Sequence, residues 1–201
     1  MRHLIGRART AALLGLGALV IAGCGTSSDP VSPGVPVNEN PNAVFAALMQ
    51  RPDIDQATQR YEQMGTEIRQ ALSAHILELA TWTADGDTSN AACGNDDYPG
   101  PGFDGQVRDL PDYVVPGNLP DDKYEQALSV IGATVQKYGF APTPQRLHDA
   151  PSSHDAVFHN TQDDGAVRFG THENTLLGLS LGCHLTAEAK IRGHPSSIPT
   201  S

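Results

Sequence analysis

The sequence predicts an α+β fold in which an antiparallel β-sheet, ending in a C-terminal meander, is packed on one face by two amphipathic helices. Residues 53–79 and 121–138 carry apolar side chains at helical spacing. Residues 156–183 instead alternate apolar and polar side chains and are divided by turn-forming residues. A sheet with one apolar face needs a cover, which two such helices supply. We expect about three to five strands.

A short helix and a long helix are predicted at the start of the domain. The short helix extends over Ala43–Gln50, with Asn42 as its cap and Pro52 beyond its end. The long helix begins at Asp53 or Asp55. Its apolar positions recur at steps of three and four and form one face: Ala57, Tyr61, Met64, Ile68, Ala71, Leu72, Ile76 and Leu79.

The second amphipathic helix is predicted after Pro120. Asp122, followed three residues later by Glu125, resembles a capping box with Asp in place of Ser or Thr. Gly139 suits the position just after the helix. The apolar face consists of Tyr124, Ala127, Leu128, Ile131, Val135 and Tyr138.

Most strands are predicted in the last third of the chain. Residues 156–162 and 166–171 are joined by an Asp-Asp-Gly turn, and a third strand covers 175–183. The apolar side chains of the last two strands share one face: Val167, Phe169, Thr171, Leu177, Leu179, Leu181 and Cys183. A further strand comes either from the segment around Trp82 or from the Pro-rich segment 95–119, and the sequence leaves both open. Strand candidates in the latter are Phe103–Val107 and Tyr113–Val115.

The first 23 residues have the pattern of a secretory signal peptide. Three arginines and no acid precede an apolar run, residues 11–22, which is shorter than the roughly 20 residues that span a bilayer. The run ends in Val-Ile-Ala-Gly-Cys, residues 20–24, which resembles the lipobox of bacterial lipoproteins. The resemblance implies cleavage between Gly23 and Cys24, and attachment of lipid, with acyl chains such as palmitate, to the Cys24 thiol. The alternatives are an ordinary secreted protein with a chance cysteine, or an uncleaved anchor.

The remaining chain divides into three parts by composition. Residues 24–41 are rich in Ser, Pro, Gly and Asn and predict a disordered tether. A single folded domain is expected over residues 42–188. Residues 189–201 are expected to form a disordered tail.

The charge and hydropathy of the chain argue against two classes of protein. With 23 acidic and 13 basic residues, the chain has a net charge of -10 and lacks the clustered cations that nucleic-acid binding requires. A single short apolar run argues against a multi-pass membrane protein. Loss of the signal peptide removes three arginines and leaves -13, so we expect the folded body to stand off an anionic membrane surface.

Once Cys24 carries lipid, Cys93 and Cys183 remain. The compartment outside the membrane is oxidising, which predicts a disulfide between them. Cys93 is placed in a loop after the long helix and Cys183 at the end of the last strand. The alternative is two separate thiols, one of them reactive.

Two sequence motifs are discounted. Gly178-Leu179-Ser180-Leu181-Gly182 matches G-x-S-x-G, but the apolar alternation places it within a strand, whereas a nucleophile elbow needs a strand-to-helix turn. Counted from Asp85, the sixth and twelfth positions of an EF-hand loop are Asn90 and Asp96 instead of Gly and Glu, so a solvated acidic loop is expected.

Four residues are candidates for a metal or acid/base site: His154, Asp155, His159 and His172. Imidazoles and carboxylates are good Zn²⁺ ligands. The predicted hairpin places His159 and His172 on the polar face, where they approach each other across neighbouring strands. The chain has no H-x-x-x-H or H-E-x-x-H spacing, and solvent-facing polar side chains are the alternative explanation.

The order of these features resembles the LppA-like lipoproteins of mycobacteria and related actinobacteria. The resemblance rests on the lipobox, the Pro/Ser-rich tether, the long helix, Thr81-Trp82-Thr83, the loop Cys93, a second helix ending in Lys137-Tyr138-Gly139, and strands closing on Leu181-Gly182-Cys183. It implies a surface lipoprotein with one disulfide and no established activity.

The predicted function is therefore a non-catalytic lipoprotein on the extracytoplasmic face of the cell membrane. It contacts the membrane through its lipid anchor, needs no cofactor, and binds another envelope protein, a lipid or a glycan. The alternative is an envelope hydrolase or metal-binding protein, for which the four His and Asp residues have to meet within a few ångströms. A third hypothesis is a purely structural lipoprotein without a ligand.

Overall fold

The computed structural model describes residues 41–95 and 98–196. The predicted signal peptide, the tether up to residue 40 and residues 197–201 of the predicted tail lie outside the described residues.

Four α-helices occupy the described part of the chain: α1 (Pro41–Leu48), α2 (Ile54–His75), α3 (Asp121–Val135) and α4 (Ala187–Arg192). Short 3₁₀ turns follow α2 at Leu77–Leu79 and α3 at Gln136–Tyr138.

Helix α2 begins where the sequence predicts. The side chain of Asp53 accepts hydrogen bonds from the backbone N–H groups of Asp55 and Gln56, at 3.1 and 2.8 Å. The side chain of Gln56 in turn accepts a hydrogen bond from the backbone N–H of Asp53, which completes a capping box. The predicted apolar face is buried at Ala57, Tyr61, Met64, Ile68 and Leu72.

The start of α3 differs from the prediction. Pro120 occupies the N-cap position and no side chain caps the helix, so the predicted cap at Asp122 is wrong. Asp121 and Asp122 both lie in the first turn, where negative charge is favourable to the helix dipole. Gly139, with φ of 93°, follows the closing turn as predicted, in a conformation that only glycine adopts at little cost.

Helix α4 corrects the predicted C-terminal boundary of the domain. The hydroxyl of Thr186 accepts a hydrogen bond from Ala189 N at 3.1 Å, and Ala189 is fully buried. Arg192 pairs with Asp104 on the sheet. These contacts order residues that the polar, Pro-containing composition had assigned to the tail from Ala189 onward.

Eight strands form one antiparallel sheet in the order β1-β4-β8-β7-β6-β5, with β3 paired to both β2 and β8. They are β1 (Thr83–Asp85), β2 (Ser89–Asn95), β3 (Tyr98–Asp109), β4 (Asp112–Pro116), β5 (Gln145–Ala150), β6 (Ser153–His159), β7 (Ala166–Thr171) and β8 (Asn174–Leu185). Strand β8 is central. It pairs with β7 on one edge, and on the other edge first with β4 and then with β3.

The α+β class, the antiparallel sheet and the β6–β7–β8 meander are confirmed, whereas the predicted three to five strands are too few. Both proposed sources of a further strand contribute, since β1 follows Trp82 and β3 and β4 come from the Pro-rich segment. Strands β2 and β5 escape prediction because they carry few apolar side chains and expose nearly all the side chains that are described.

The main core lies between α2, α3 and one face of the sheet. It contains the predicted faces of both helices except Ala71, with Tyr138 packed against it, together with Phe158, Val167, Phe169, Leu177, Leu179 and Leu181. A second, smaller cluster joins α1 and α4 to the end of β8 through Val44, Phe45, Leu48, Leu185 and Ala189. The helices therefore cover one face of the sheet and leave the other face without a helix against it.

Among the described residues, we find no helix that combines the length and the apolar character needed to cross a membrane.

Candidate functional site on the open face of the sheet

The candidate site lies on the sheet face that is turned away from α2 and α3. In β7, Val167 and Phe169 are fully buried, whereas Arg168 between them points to the other side and exposes 61% of its side chain. Gly178 of β8 is the register partner of Arg168, and Asp112 of β4 lies beside Gly178. We define this surface, the open face, by Asp85, Asp112, Asp155, Arg168, Gly170 and Gly178.

An ion pair between neighbouring strands stands at the centre of the open face. The Arg168 guanidinium donates through Nε to both carboxylate oxygens of Asp155, at 2.9 and 3.1 Å, and through Nη2 to Oδ2. Asp155 is opposite Gly170 in the β6–β7 register. A guanidinium held this way has a fixed orientation, which suits it to recognition.

Two shallow hollows meet at Arg168 and Asp112. One has a volume of about 370 Å³ and includes Asp85, Asp87 and Asp109 in its lining. The other has a volume of about 420 Å³, and its lining includes Asp155, His148, His154 and His172. Together they form a depression that is lined by residues of β1 and of β3 to β8.

Negative charge dominates this depression. Five aspartates line the two hollows, against the single cation Arg168. Burial raises the pKa of Asp112, and the carboxylates of Asp85 and Asp109 raise it further, while Arg168 opposes them. A Cβ at position 178 would lie 2.6 Å from Asp112 Oδ1, so Gly178 makes room for this carboxylate. The crowded acids favour a cationic group in the depression.

The side chain of His154, one of the four predicted site residues, is held within the fold by one aromatic ring and two carboxylates. Its ring stacks on Tyr124, with centroids 4.6 Å apart. Its Nδ1 lies 2.7 Å from Asp149 Oδ1 and its Nε2 lies 3.1 Å from Asp121 Oδ1. Burial alone would lower the pKa of His154, but the two carboxylates outweigh it and raise the pKa above its ordinary value. His154 therefore ties the start of α3 to β5 and β6.

The expected approach of His159 to His172 is wrong. His159 is opposite Ala166 at one end of the β6–β7 pair, whereas His172 follows Thr171, which is opposite His154 at the other end. The antiparallel register separates the two ends by about 17 Å, at 3.4 Å per residue. Asp155 lies with His172 beside the second hollow but is paired with Arg168. Within residues 41–95 and 98–196, no group of three or more His, Cys, Asp or Glu is placed to hold a metal ion.

A buried polar network around Asp163 was not predicted from the sequence. The Asp163 carboxylate accepts hydrogen bonds from Tyr61 Oη at 2.9 Å and Gly165 N at 3.0 Å, and lies 3.3 Å from His184 Nε2. His184 Nδ1 donates to the carbonyl of Pro52 at 3.0 Å. Burial acts to raise the pKa of Asp163, but these donors, His184 foremost, hold it below its ordinary value. The only sequence signal was the Asp-Asp-Gly turn, because the partners come from distant segments.

This network resembles an acid/base pair in composition, and Asp163 and His184 line a hollow of about 180 Å³. Histidine beside a carboxylate is a common catalytic arrangement. Here both ring nitrogens of His184 are engaged and the residue is 1% exposed, so the ring offers no free nitrogen to a substrate. In this conformation the network connects the β6–β7 loop, through Asp163, to Tyr61 of α2 and His184 of β8.

The predicted disulfide is present. Cys93 and Cys183 are bonded, with their Cα atoms 5.8 Å apart. Cys93 lies in strand β2 and not in the predicted loop. The bond links the β2–β3 hairpin to the central strand β8, beside the smaller apolar cluster. Ser180 of the G-x-S-x-G sequence lies within β8, as the alternation predicted.

Together, the antiparallel sheet, the helices that cover one of its faces and the disulfide define a two-layered α+β domain. The chain belongs to the LppA family, described as a lipoprotein confined to pathogenic Mycobacterium, whose model matches residues 32–187.

Two solved structures are similar to this chain, and the first of them supports the fold. The crystal structure of the lipoprotein LppA from Mycobacterium tuberculosis superposes with a TM-score of 0.61 at 13% identity, covering 78% of this chain and 92% of that one. A DUF4853 family protein from Actinomyces odontolyticus matches with a TM-score of 0.46 at 18% identity, covering 69% and 72% of the two chains. No curated protein matches this chain.

Proposed function

We propose that the protein is a lipid-anchored lipoprotein of the cell envelope whose domain is a non-catalytic binding module. In this proposal residues 1–23 are removed, Cys24 carries the lipid, and the domain stands on the extracytoplasmic side of the membrane. The open face binds a basic segment of another envelope protein.

The anchor is supported by sequence and family. The lipobox-like residues 20–24 follow an arginine-rich start and a short apolar run. The family description is that of a lipoprotein. The Cys93–Cys183 disulfide suits an oxidising compartment, because cytosolic thiols are kept reduced.

The binding role is supported by one observation above all: two hollows meet on an open sheet face that carries five aspartates against Arg168. Lysine and arginine side chains entering the hollows would relieve the repulsion among Asp85, Asp109 and Asp112. Arg168 lies where the two hollows meet, and its hydrogen bonds to Asp155 fix the orientation of the guanidinium.

The alternative of a hydrolase or metal-binding protein receives no support from the geometry of its candidates. His154 is held by Asp121 and Asp149, and His159 lies at the far end of its strand from His172. We assign no catalytic role to these residues.

The binding proposal is tested by NMR titration of the protein with an oligolysine peptide at low and high salt. We expect shifts at the backbone amides of Gly170, Gly178 and Ser180, and a loss of binding as salt rises. Asp85→Asn with Asp112→Asn should weaken binding by roughly tenfold, since each charge contributes up to about 1 kcal/mol at contact in water.

The matched control is Glu78→Gln with Asp122→Asn, which removes the same charge from exposed positions away from the open face. Equal losses in the two double variants, or shifts confined to the helices, would contradict the proposal, because either result means non-specific attraction to an acidic protein.

A further inference from the structure

The hollow of about 180 Å³ beside the Asp163 network is lined by residues from the start of α2, the β6–β7 loop and the end of β8. We call it the arginine hollow and define it by Arg51, Arg60, Tyr61, Asn160, Asp163 and His184. Among the described residues, none that lines it also lines the two hollows of the open face. The arginine hollow is therefore a separate place on the domain.

Two guanidinium groups reach the arginine hollow without a carboxylate partner. Arg51 Nη1 donates to the carbonyls of Cys183 and Asp163, at 3.1 and 3.4 Å. Arg60 Nη2 donates to the carbonyl of Tyr138 at 3.2 Å. In the described part of the chain neither arginine forms an ion pair with an acid, whereas four other arginines do: Arg108, Arg146, Arg168 and Arg192. Carbonyl groups hold the two guanidinium groups in place but leave their positive charge for a ligand.

Asp163, the one carboxylate among the described lining residues, is already satisfied within the fold. It accepts hydrogen bonds from Tyr61 Oη and Gly165 N, and it faces His184 Nε2. Against the effect of burial, these donors hold the pKa of Asp163 below its ordinary value. The network therefore balances the charge of Asp163 and leaves the two arginines unbalanced.

Charged groups next to the arginine hollow do not change this balance. Four carboxylates adjoin the lining in sequence or through a contact, and none belongs to it: Asp53, Glu62, Glu67 and Asp164. Asp53 caps α2, Glu62 lines a different hollow, the side chain of Glu67 is hydrogen-bonded to Tyr138, and Asp164 is exposed. Lys190 donates to the Arg51 carbonyl, which brings a third cation to the side of Arg51. The hollow is thus a positive place on a protein with a net charge of -10.

We propose that the arginine hollow binds the phosphate group of a phosphate monoester. Near neutral pH such a group carries a charge of about -1.5 to -2, which matches two guanidinium groups, whereas a single carboxylate leaves one of them unmatched. The planar donors of arginine suit phosphate oxygens, and the side-chain amides of Gln50 and Gln162 in the lining add further donors.

The size of the hollow limits what enters it. Pockets for drug-sized ligands have volumes of about 300–1,000 Å³, so a hollow of about 180 Å³ takes the phosphate and the few atoms next to it. The rest of the ligand extends into solvent. Free phosphate esters and the headgroup of phosphatidic acid share this chemistry.

The test is isothermal titration calorimetry of the protein with glycerol 3-phosphate, with lactate as a monocarboxylate and with soluble dihexanoyl phosphatidic acid. Arg60→Gln removes one guanidinium from an exposed position and leaves the Asp163 network untouched. Arg69→Gln is the matched control. Arg69 lies nine residues further along α2, about 14 Å away, and packs on Tyr113, also without an ion pair to a described acid.

We expect glycerol 3-phosphate to bind, with a Kd that rises roughly tenfold in Arg60→Gln and stays within about twofold in Arg69→Gln, because only the first variant loses a charged donor to the phosphate. Lactate should bind at least roughly tenfold more weakly. Both sources of phosphate support the site: tighter binding of dihexanoyl phosphatidic acid identifies a headgroup, and equal binding identifies a free ester.

Three results overturn the inference. If neither glycerol 3-phosphate nor dihexanoyl phosphatidic acid binds, the hollow is not a phosphate site. If Arg60→Gln and Arg69→Gln weaken binding equally, the attraction is not specific to the hollow. If lactate binds as tightly as glycerol 3-phosphate, the hollow does not select the doubly charged group.

Discussion

Removing the carboxylate of Asp163 should be among the most damaging single changes in the domain. Asp163→Ala leaves three buried donors without their acceptor: the hydroxyl of Tyr61, the amide of Gly165 and Nε2 of His184. An unsatisfied buried polar group costs about 1–3 kcal/mol, so the free energy of unfolding should fall by about 3–6 kcal/mol. This is a large fraction of the about 5–15 kcal/mol by which domains are stable.

Two milder variants separate the hydrogen bonds from the charge. Tyr61→Phe removes one of the donors and should cost about 1 kcal/mol. Asp163→Asn keeps an acceptor oxygen and the side-chain shape but loses the charge. Because the pKa of Asp163 is lowered on folding, its contribution is present above the unfolded value of about 3.9 and is lost as the pH falls through the folded value. Below that range the Asn variant and the native protein should approach equal stability.

The assay is urea unfolding of each variant, followed by circular dichroism at neutral and acidic pH, with the slope on urea checked for constancy. If Asp163→Ala loses less than Tyr61→Phe, or if Asp163→Asn keeps the same deficit at all pH values, the network does not stabilise the loop in the way we describe.

Three further predictions concern other parts of the fold. His154 has a raised pKa in the folded state, so its contribution should be complete below the unfolded pKa of about 6.5 and disappear as the pH rises through the folded value; thermal melts of the native protein, but not of His154→Gln, should show this loss, and parallel curves would disprove it. Replacing Cys93 and Cys183 together by Ser opens a cross-link of 90 residues and should cost about 4–5 kcal/mol in the chain-entropy model; an unchanged urea midpoint would rule out this role. Gly182→Ala would place a Cβ 1.5 Å from the carbonyl oxygen of Asp163, and we expect a protein destabilised by more than about 3 kcal/mol or recovered only as aggregate; a soluble variant of native stability would contradict the close packing of the β6–β7 loop on β8.

The sequence carried enough information for the elements whose burial is periodic. Steps of three and four residues marked α2 and α3, and alternation of Val167, Phe169, Leu177 and Leu179 marked the paired strands β7 and β8. These patterns work because one face of each element is buried in the same core. Strand β5 exposes almost every side chain and so has no such period. Helix α4 is ordered by long-range contacts, the Arg192–Asp104 pair among them, which a local window cannot contain.

The candidate site was predicted less well, for a related reason. The residue types around His154 were noticed, but its partners Asp121 and Asp149 come from another helix and another strand. The polar side of β7 was visible in the sequence as Arg168, whereas the aspartates of β1 and β4 that surround it are brought there by strand order. Local alternation therefore predicted which face of β7 is polar, whereas the negative charge around Arg168 follows from the strand order and could not be predicted from local sequence.

The measurement that bears most directly on the account is mass spectrometry of the N-terminal peptide from native material. We predict a chain that begins at Cys24 and carries a diacylglyceryl thioether on the sulfur, with or without an acylated amine. An unmodified Cys24 thiol, or a polypeptide that keeps residues 1–23 and stays inside the cell, would contradict the envelope location proposed for the protein.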